Sequence, residues 1–311
     1  MSLETIGRRS FLYAAAAAVP GLLQRRAEAQ GGRPRLGVVI DASRQELVDA
    51  AFQRVRDFGL PTCQIHAGSE PSVSLAEPIK QAMAKYKVDG TAIMTLGPGR
   101  IEWTFYGGPR TCGIVPRDLR AKRVDALKKA ADLARACDIP AIHTHCGFIP
   151  EDPNEPLYAE AVSAIKDVAS HCKANGRIFM METGQESPIT LLRAIQDTGL
   201  DNVHVNLDVA NLILYGKGEP VGAIDVLGPH IRGLHAKDGL YPTDPKALGK
   251  EVPIGQGRVN FPEVIRGLKR LRYTGPITIE REISGPRQQA DIRASKVYLE
   301  KLIAEIYGAG V

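Results

Sequence analysis

The chain has 311 residues, 44% of them hydrophobic and 24% charged, an ordinary globular composition with apolar material for one large core. Its formal net charge of +5 is mild, and the first 29 residues carry part of it, so charge gives no support to a nucleic-acid-binding surface. Five scattered cysteines (Cys63, Cys112, Cys137, Cys146, Cys172), an odd number with no C-x-x-C pair, argue against a disulfide scaffold or a thiolate zinc site.

The first element is a leader. Arg8-Arg9-Ser10-Phe11-Leu12 precedes an Ala-rich apolar stretch, Phe11 to Leu23, and then Ala27-Glu28-Ala29. A basic segment, an apolar segment and an A-x-A site form a signal peptide, and the paired arginines resemble the twin-arginine export motif. Arg25 and Arg26, after the apolar segment, fit that route better than the general secretory one. The expectation is a signal over residues 1–29 and a periplasmic protein with no stable membrane insertion, since the stretch is too short to span a bilayer comfortably.

From Arg35 onward, short β-type runs alternate with helical spacing. The runs are Leu36–Ile40, Pro61–Ile65, Gly90–Thr95, Ala141–Thr144, Ile178–Met181, Val203–Leu207, Ile231–Leu234 and Pro276–Ile279. They are short, apolar and almost free of charge, as parallel strands covered on both faces are. Between the first two, Leu47, Ala50, Ala51 and Val55 are spaced for one helix face, and Gly59 follows as a C-terminal cap. Residues 221–227 are the weakest helical stretch. Eight strands and about eight helices predict a closed (β/α)8 TIM barrel, a single α/β domain over residues 35–308. A doubly wound open sheet is the runner-up, but no G-x-G-x-x-G follows the first strand. Two long connections, residues 97–117 with the sole tryptophan Trp103 and residues 238–260, would emerge at the strand C-terminal face, where barrel enzymes place their chemistry.

The strand ends carry the functional signal. In order they offer His66, His143 with His145, Glu182, Asp208, His235 and Glu280. One polar residue in such a place means little. Several carboxylates buried together are costly unless a cation or protons compensate them. Three carboxylates and one imidazole suit a single divalent ion, Mn²⁺, Co²⁺, Mg²⁺ or Zn²⁺. The plain alternative is salt bridging to Lys237 or Arg281, with Lys237 itself pairing with Asp238 or a neighbouring carboxylate. Gly255-Gln256-Gly257 offers backbone N–H groups to an anion.

The segments FMMETG, NLDVANL, LHAKD and PIGQGRVNFPEVIRGLKRLRYTGPITIERE resemble the xylose-isomerase-like sugar isomerase/epimerase superfamily, from about Leu36 to the C-terminus. The resemblance implies a (β/α)8 barrel with one divalent metal held by Glu182, Asp208, His235 and Glu280. It further implies that Glu182 and Glu280 act as acid and base on opposite faces of a sugar. The reaction would be isomerisation or epimerisation by α-proton abstraction through a metal-stabilised enediolate. Where sugar epimerases of this group often carry a His and an Arg, this sequence has Asn211 and Lys237. Those two, with His145, His66 and Trp103, are the candidate contacts to a sugar or keto-sugar substrate. Alternatives are a lyase acting on an oxidised sugar or glycoside, an apurinic-site endonuclease-like hydrolase using three zinc ions, and a non-catalytic sugar-binding barrel. The chain is open to homo-oligomer formation.

Overall fold

The computed structural model describes residues 32–308; the expected signal over residues 1–29 lies outside them. In chain order the elements are β1 (Arg35–Asp41), α1 (Gln45–Asp57), β2 (Thr62–His66), α2 (Ala76–Tyr86), β3 (Asp89–Met94), α3 (Gly108–Thr111), α4 (Arg117–Ala136), β4 (Ala141–Thr144), α5 (Pro156–Ala174) and β5 (Ile178–Glu182). There follow α6 (Pro188–Thr198), β6 (Val203–Asp208), α7 (Val209–Leu214), α8 (Pro220–Leu227), β7 (Ile231–Ala236), β8 (Asp238–Leu240), β9 (Lys250–Val252), α9 (Phe261–Arg270), β10 (Pro276–Ile279) and α10 (Pro286–Tyr307). Eight strands close into a parallel barrel in the ring order β1-β10-β7-β6-β5-β4-β3-β2. All eight expected runs are strands, two with the same bounds and the rest with edges shifted by one or two residues.

Strand alternation sorts side chains into an outer and an inner set. Outward-facing Phe179, Met181, Val205, Leu207, Leu234, Ile277 and Ile279 join the large core between barrel and helices. Inside the barrel a small apolar plug of Ala92, Ala141, Ile178 and Met180 fills one part, and Gln64, His143, Asn206, His235 and Thr278 are buried with it. The helices seal the outside. In α1 the buried face is Val48, Ala51, Phe52 and Val55, turned about one residue from the face read off the sequence, because the ring of Phe52 outweighs the small Ala50. Gly59 at φ +68° supplies the left-handed turn that ends the helix. The weakly helical stretch near 221–227 is α8, started by Pro220 and by Glu219, whose carboxylate accepts from Val221 N and Gly222 N.

Both long loops sit at the strand C-terminal end, and each is held by one buried charge. Arg123 of α4 donates to the carbonyls of Pro98 (3.1 Å), Thr111 (2.6 Å) and Gly113 (2.6 Å), which fixes the Trp103 loop. Asp238 holds the other loop, accepting from Gly239 N, Gly255 N, Gly257 N and Val259 N at 2.8–3.1 Å. A Cβ at Gly257 would lie 2.0 Å from Asp238 Oδ1, so only glycine permits this approach. This corrects two expectations. The N–H groups of Gly255 and Gly257 are spent on Asp238, and that of Gln256 on Pro253 O, leaving none for an anion. Asp238 is accordingly a loop anchor, and of the two partners expected for Lys237 it is the neighbouring carboxylates that pair with it. The second loop, expected as a plain connection, folds back as the antiparallel hairpin β8–β9.

Candidate metal centre

Four of the strand-end residues converge. Glu182 ends β5, Asp208 ends β6, His235 lies near the end of β7, and Glu280 directly follows β10. One ligand atom from each lies within 4.8 Å of the other three. His235 Nδ1 is the hub, 3.0 Å from Glu182 Oε1, 3.4 Å from Glu280 Oε2 and 3.6 Å from Asp208 Oδ2. β5, β6, β7 and β10 are consecutive in the ring, so the two glutamates flank Asp208 and His235 on a four-strand arc.

Each ligand is aimed by its local chain. Asp208 caps α7: its Oδ1 accepts from Asn211 N at 2.7 Å, leaving Oδ2 for the centre. Thr183 bridges the strand ends, accepting from Asp208 N and donating to Asp208 O, both at 2.8 Å. His235 is set by a chain the sequence reading missed. Its Nε2 donates to Gln64 Oε1 at 2.5 Å, and Gln64 Nε2 donates to Asn206 Oδ1 at 3.0 Å. That orients the ring so that Nδ1 faces the carboxylates, where its lone pair would serve an ion once the proton they hold on it is displaced. Gly233 leaves room for Asn206, since a Cβ there would fall 2.4 Å from Asn206 Oδ1. The signal for Gln64 was present: a lone amide inside an apolar strand run.

The electrostatics call for a cation. Burial opposes ionisation of Glu182, but His145 and His235 beside it hold it well below the usual carboxylate range. Burial pushes Asp208 up to about 6 against the pull of Lys237. Burial also opposes charge on His235 and Lys237, yet the carboxylates, Glu280 foremost, hold both protonated well above their ordinary values. Three carboxylates thus keep a proton on an imidazole that would otherwise lose it. Glu182 Oε2 and Asp208 Oδ2 make no well-formed hydrogen bond among the described residues, with His143 Nδ1 at 3.2 Å and His235 Nδ1 at 3.6 Å facing them. Unsatisfied buried oxygens and a compact O/N donor set fit one divalent ion, whose oxygen and nitrogen ligands stand roughly 2.0–2.5 Å away.

The other candidates are placed unevenly. Lys237 Nζ lies 3.1 Å from Glu280 Oε2, 3.0 Å from Glu282 Oε2 and 3.1 Å from Asn211 Oδ1. Asn211 Nδ2 donates to Glu182 Oε1 at 3.4 Å. His145 Nε2 is 3.4 Å from Glu182 Oε1, and Trp103 meets the His145 ring edge-on at 5.1 Å. Trp103, His145 and Asn211 line a cavity of about 410 Å³ with Tyr215, Glu251 and Glu282. His66 stands outside the convergent set, one-third exposed, with Nδ1 3.9 Å from Asp41 Oδ1. His143 is buried beneath the centre, its Nδ1 3.2 Å from Glu182 Oε2. It forms a second possible ligand group with Glu182 and His235, which shares both residues with the first and so describes one centre. Glu186 was also missed. It is 2% exposed, neither oxygen has a hydrogen-bond partner among the described residues, and burial pushes it up to about 8.

The family model described as xylose isomerase-like TIM barrel matches residues 52–302. The chain belongs to this family. A xylose isomerase domain protein from Planctomyces limnophilus is 31% identical, with a TM-score of 0.82 over 88% of this chain and 99% of that one. A D-tagatose 3-epimerase-like protein is 18% identical, with a TM-score of 0.69 over 88% and 98%, a likeness of fold. Uncharacterized protein MJ1311 of Methanocaldococcus jannaschii is 26% identical over 178 residues, 52% of this chain and 57% of that protein, so the match spans little more than half of that relative. Among the described residues no helix is long and apolar enough to cross a membrane.

Proposed function

We propose that this family member is a divalent-metal-dependent sugar isomerase or epimerase that works by abstracting a proton α to a carbonyl. The observation that carries the reading is the convergence of Glu182, Asp208, His235 and Glu280 beside a cavity with polar and aromatic walls. These four residues would hold the ion, which when bound supplies a positive charge to balance the negative charge that develops on substrate oxygen. The remaining work falls to the chain. Glu182 and Glu280 stand at the two ends of the ligand arc, so one takes the α-proton and the other returns one from the far side, which inverts the carbon. His145 and Asn211, both lining the cavity, are placed to orient substrate hydroxyls, and Lys237 positions Asn211 and Glu280 from behind. Trp103 offers an apolar face to a sugar ring. The likeness to a D-tagatose 3-epimerase-like protein supports the reaction class.

The test has two stages. Metal analysis of purified protein should give one divalent ion per chain. Incubation with a ketose panel in D₂O should then introduce deuterium at the α-carbon, read by NMR. A metal-loaded protein that exchanges no α-proton in any ketose or keto-sugar offered would remove the isomerase/epimerase reading.

A further inference from the structure

The cavity wall carries two carboxylates, Glu251 and Glu282, beyond those of the metal centre. The two cations that contact these carboxylates, Lys237 and Arg281, are each shared with further acids. Lys237 is 1% exposed and shared among Glu280, Glu282 and Asp208. Arg281 is 9% exposed along its side chain, 2.9 Å from Glu251 Oε1 and 2.8 Å from Asp291 Oδ2. Glu251 also accepts from Glu282 N at 3.2 Å, which ties the hairpin β8–β9 to the segment after β10 and holds the Glu251 carboxylate, while Lys237 Nζ at 3.0 Å holds that of Glu282. Glu182, Asp208, Glu280, Glu251 and Glu282 outnumber the charges of Lys237, Arg281 and one divalent ion, even before Asp291 is counted. The glycine N–H groups that might have received an anion are bound to Asp238.

A phosphate or carboxylate entering this cavity would meet excess negative charge and no Lys or Arg among the residues that line it. Hydroxyl groups meet acceptors on Glu251 and Glu282 and mixed donors and acceptors on Gln185, Asn211 and His145, all lining the cavity. Leu214, Leu248, Trp103 and Tyr215 give apolar faces for C–H surfaces of a ring. We propose that the substrate is an uncharged polyhydroxylated compound, and that Glu251 and Glu282 determine this by excluding phosphorylated and carboxylated sugars. The inference rests on the sugar isomerase/epimerase reading for the site but concerns only what enters it.

The experiment uses the full chain loaded with Mg²⁺ and matched probes: D-fructose with D-fructose 6-phosphate, and D-ribulose with D-ribulose 5-phosphate. Binding is read by saturation-transfer NMR titration and chemistry by α-deuterium incorporation. The expected result is at least tenfold weaker binding of each phosphate than of its free sugar, with the ratio shrinking as salt rises. Glu251→Gln combined with Glu282→Gln should narrow that ratio about tenfold, a change in selectivity that a purely structural role would not produce. Phosphates binding as tightly as free sugars, or an unchanged ratio in the folded double variant, would overturn the proposal while leaving the isomerase reading intact. Selective binding of free sugars without exchange would sustain the proposal and sink the isomerase reading. Binding of none of the four would sink the substrate assignment.

Discussion

The two faces of the same strands obey different rules. On β5 the outward residues Phe179 and Met181 are buried hydrocarbon packed under helices, while the inward Glu182 is a buried charge held by imidazoles. On β7 the outward Leu234 belongs to the core and the inward His235 to the polar chain through Gln64 to Asn206. The outer face stabilises by removing apolar area from water. The inner face gives up some of that stability to keep charges and amides in place for a cation. Substitutions on the two faces should therefore separate stability from activity.

The largest effect is expected from Glu280→Gln, which should lower α-deuterium exchange by about a thousandfold or more with the circular dichroism spectrum unchanged. Retained exchange would take Glu280 out of the acid/base role. The counterpart on the outer face is Phe179→Ala. Loss of this buried ring should cost about 3–5 kcal/mol, seen as a Tm about 6–12 °C lower. Exchange per folded molecule should stay within a few-fold of the parent, and a larger loss would show that the two faces are coupled.

Glu186 gives a pH-resolved contrast. Its folded pKa is raised from the ordinary 4.5 to about 8 by burial, so its neutral form favours folding. That contribution is full below about pH 4.5 and is lost as pH rises through 8. Glu186→Gln should match the parent near pH 4.5 and exceed it by roughly 2–4 kcal/mol at pH 8.5, measured by denaturant titration. A pH-independent difference would show that the carboxyl is already charged in the fold. The smallest effect is expected from Gln64→Leu, which frees the His235 ring and should weaken metal affinity about 10–100-fold by chelator competition. Unchanged affinity would mean that Gln64 plays no part in setting His235.

Much of this was legible in the chain. The eight runs from Leu36–Ile40 to Pro276–Ile279 became the eight barrel strands because buried parallel strands need uninterrupted apolar outer faces, which leave a mark in sequence. Glu182, Asp208, His235 and Glu280 were visible as the residues that end those runs. What escaped notice was inward and non-local. Gln64 was one amide in an apolar run, and its partners His235 and Asn206 lie 171 and 142 residues away. Glu186 sits four residues past Glu182 and looks like any polar turn residue until its burial is known. Asp238, one of two kinds of partner the sequence offers Lys237, faces the loop N–H groups, and the neighbouring carboxylates Glu280 and Glu282 take the lysine.

The sequence by itself determined the barrel, the order of its strands and the set of ionisable residues at their C-terminal ends, because strand periodicity and run boundaries are local properties. The family resemblance named the four residues of the centre, but only the tertiary structure decided how closely they approach, that His66 stands apart, and that the loop amides serve Asp238. Those outcomes depend on ring closure and on distances between segments far apart in the chain, and no local pattern encodes them.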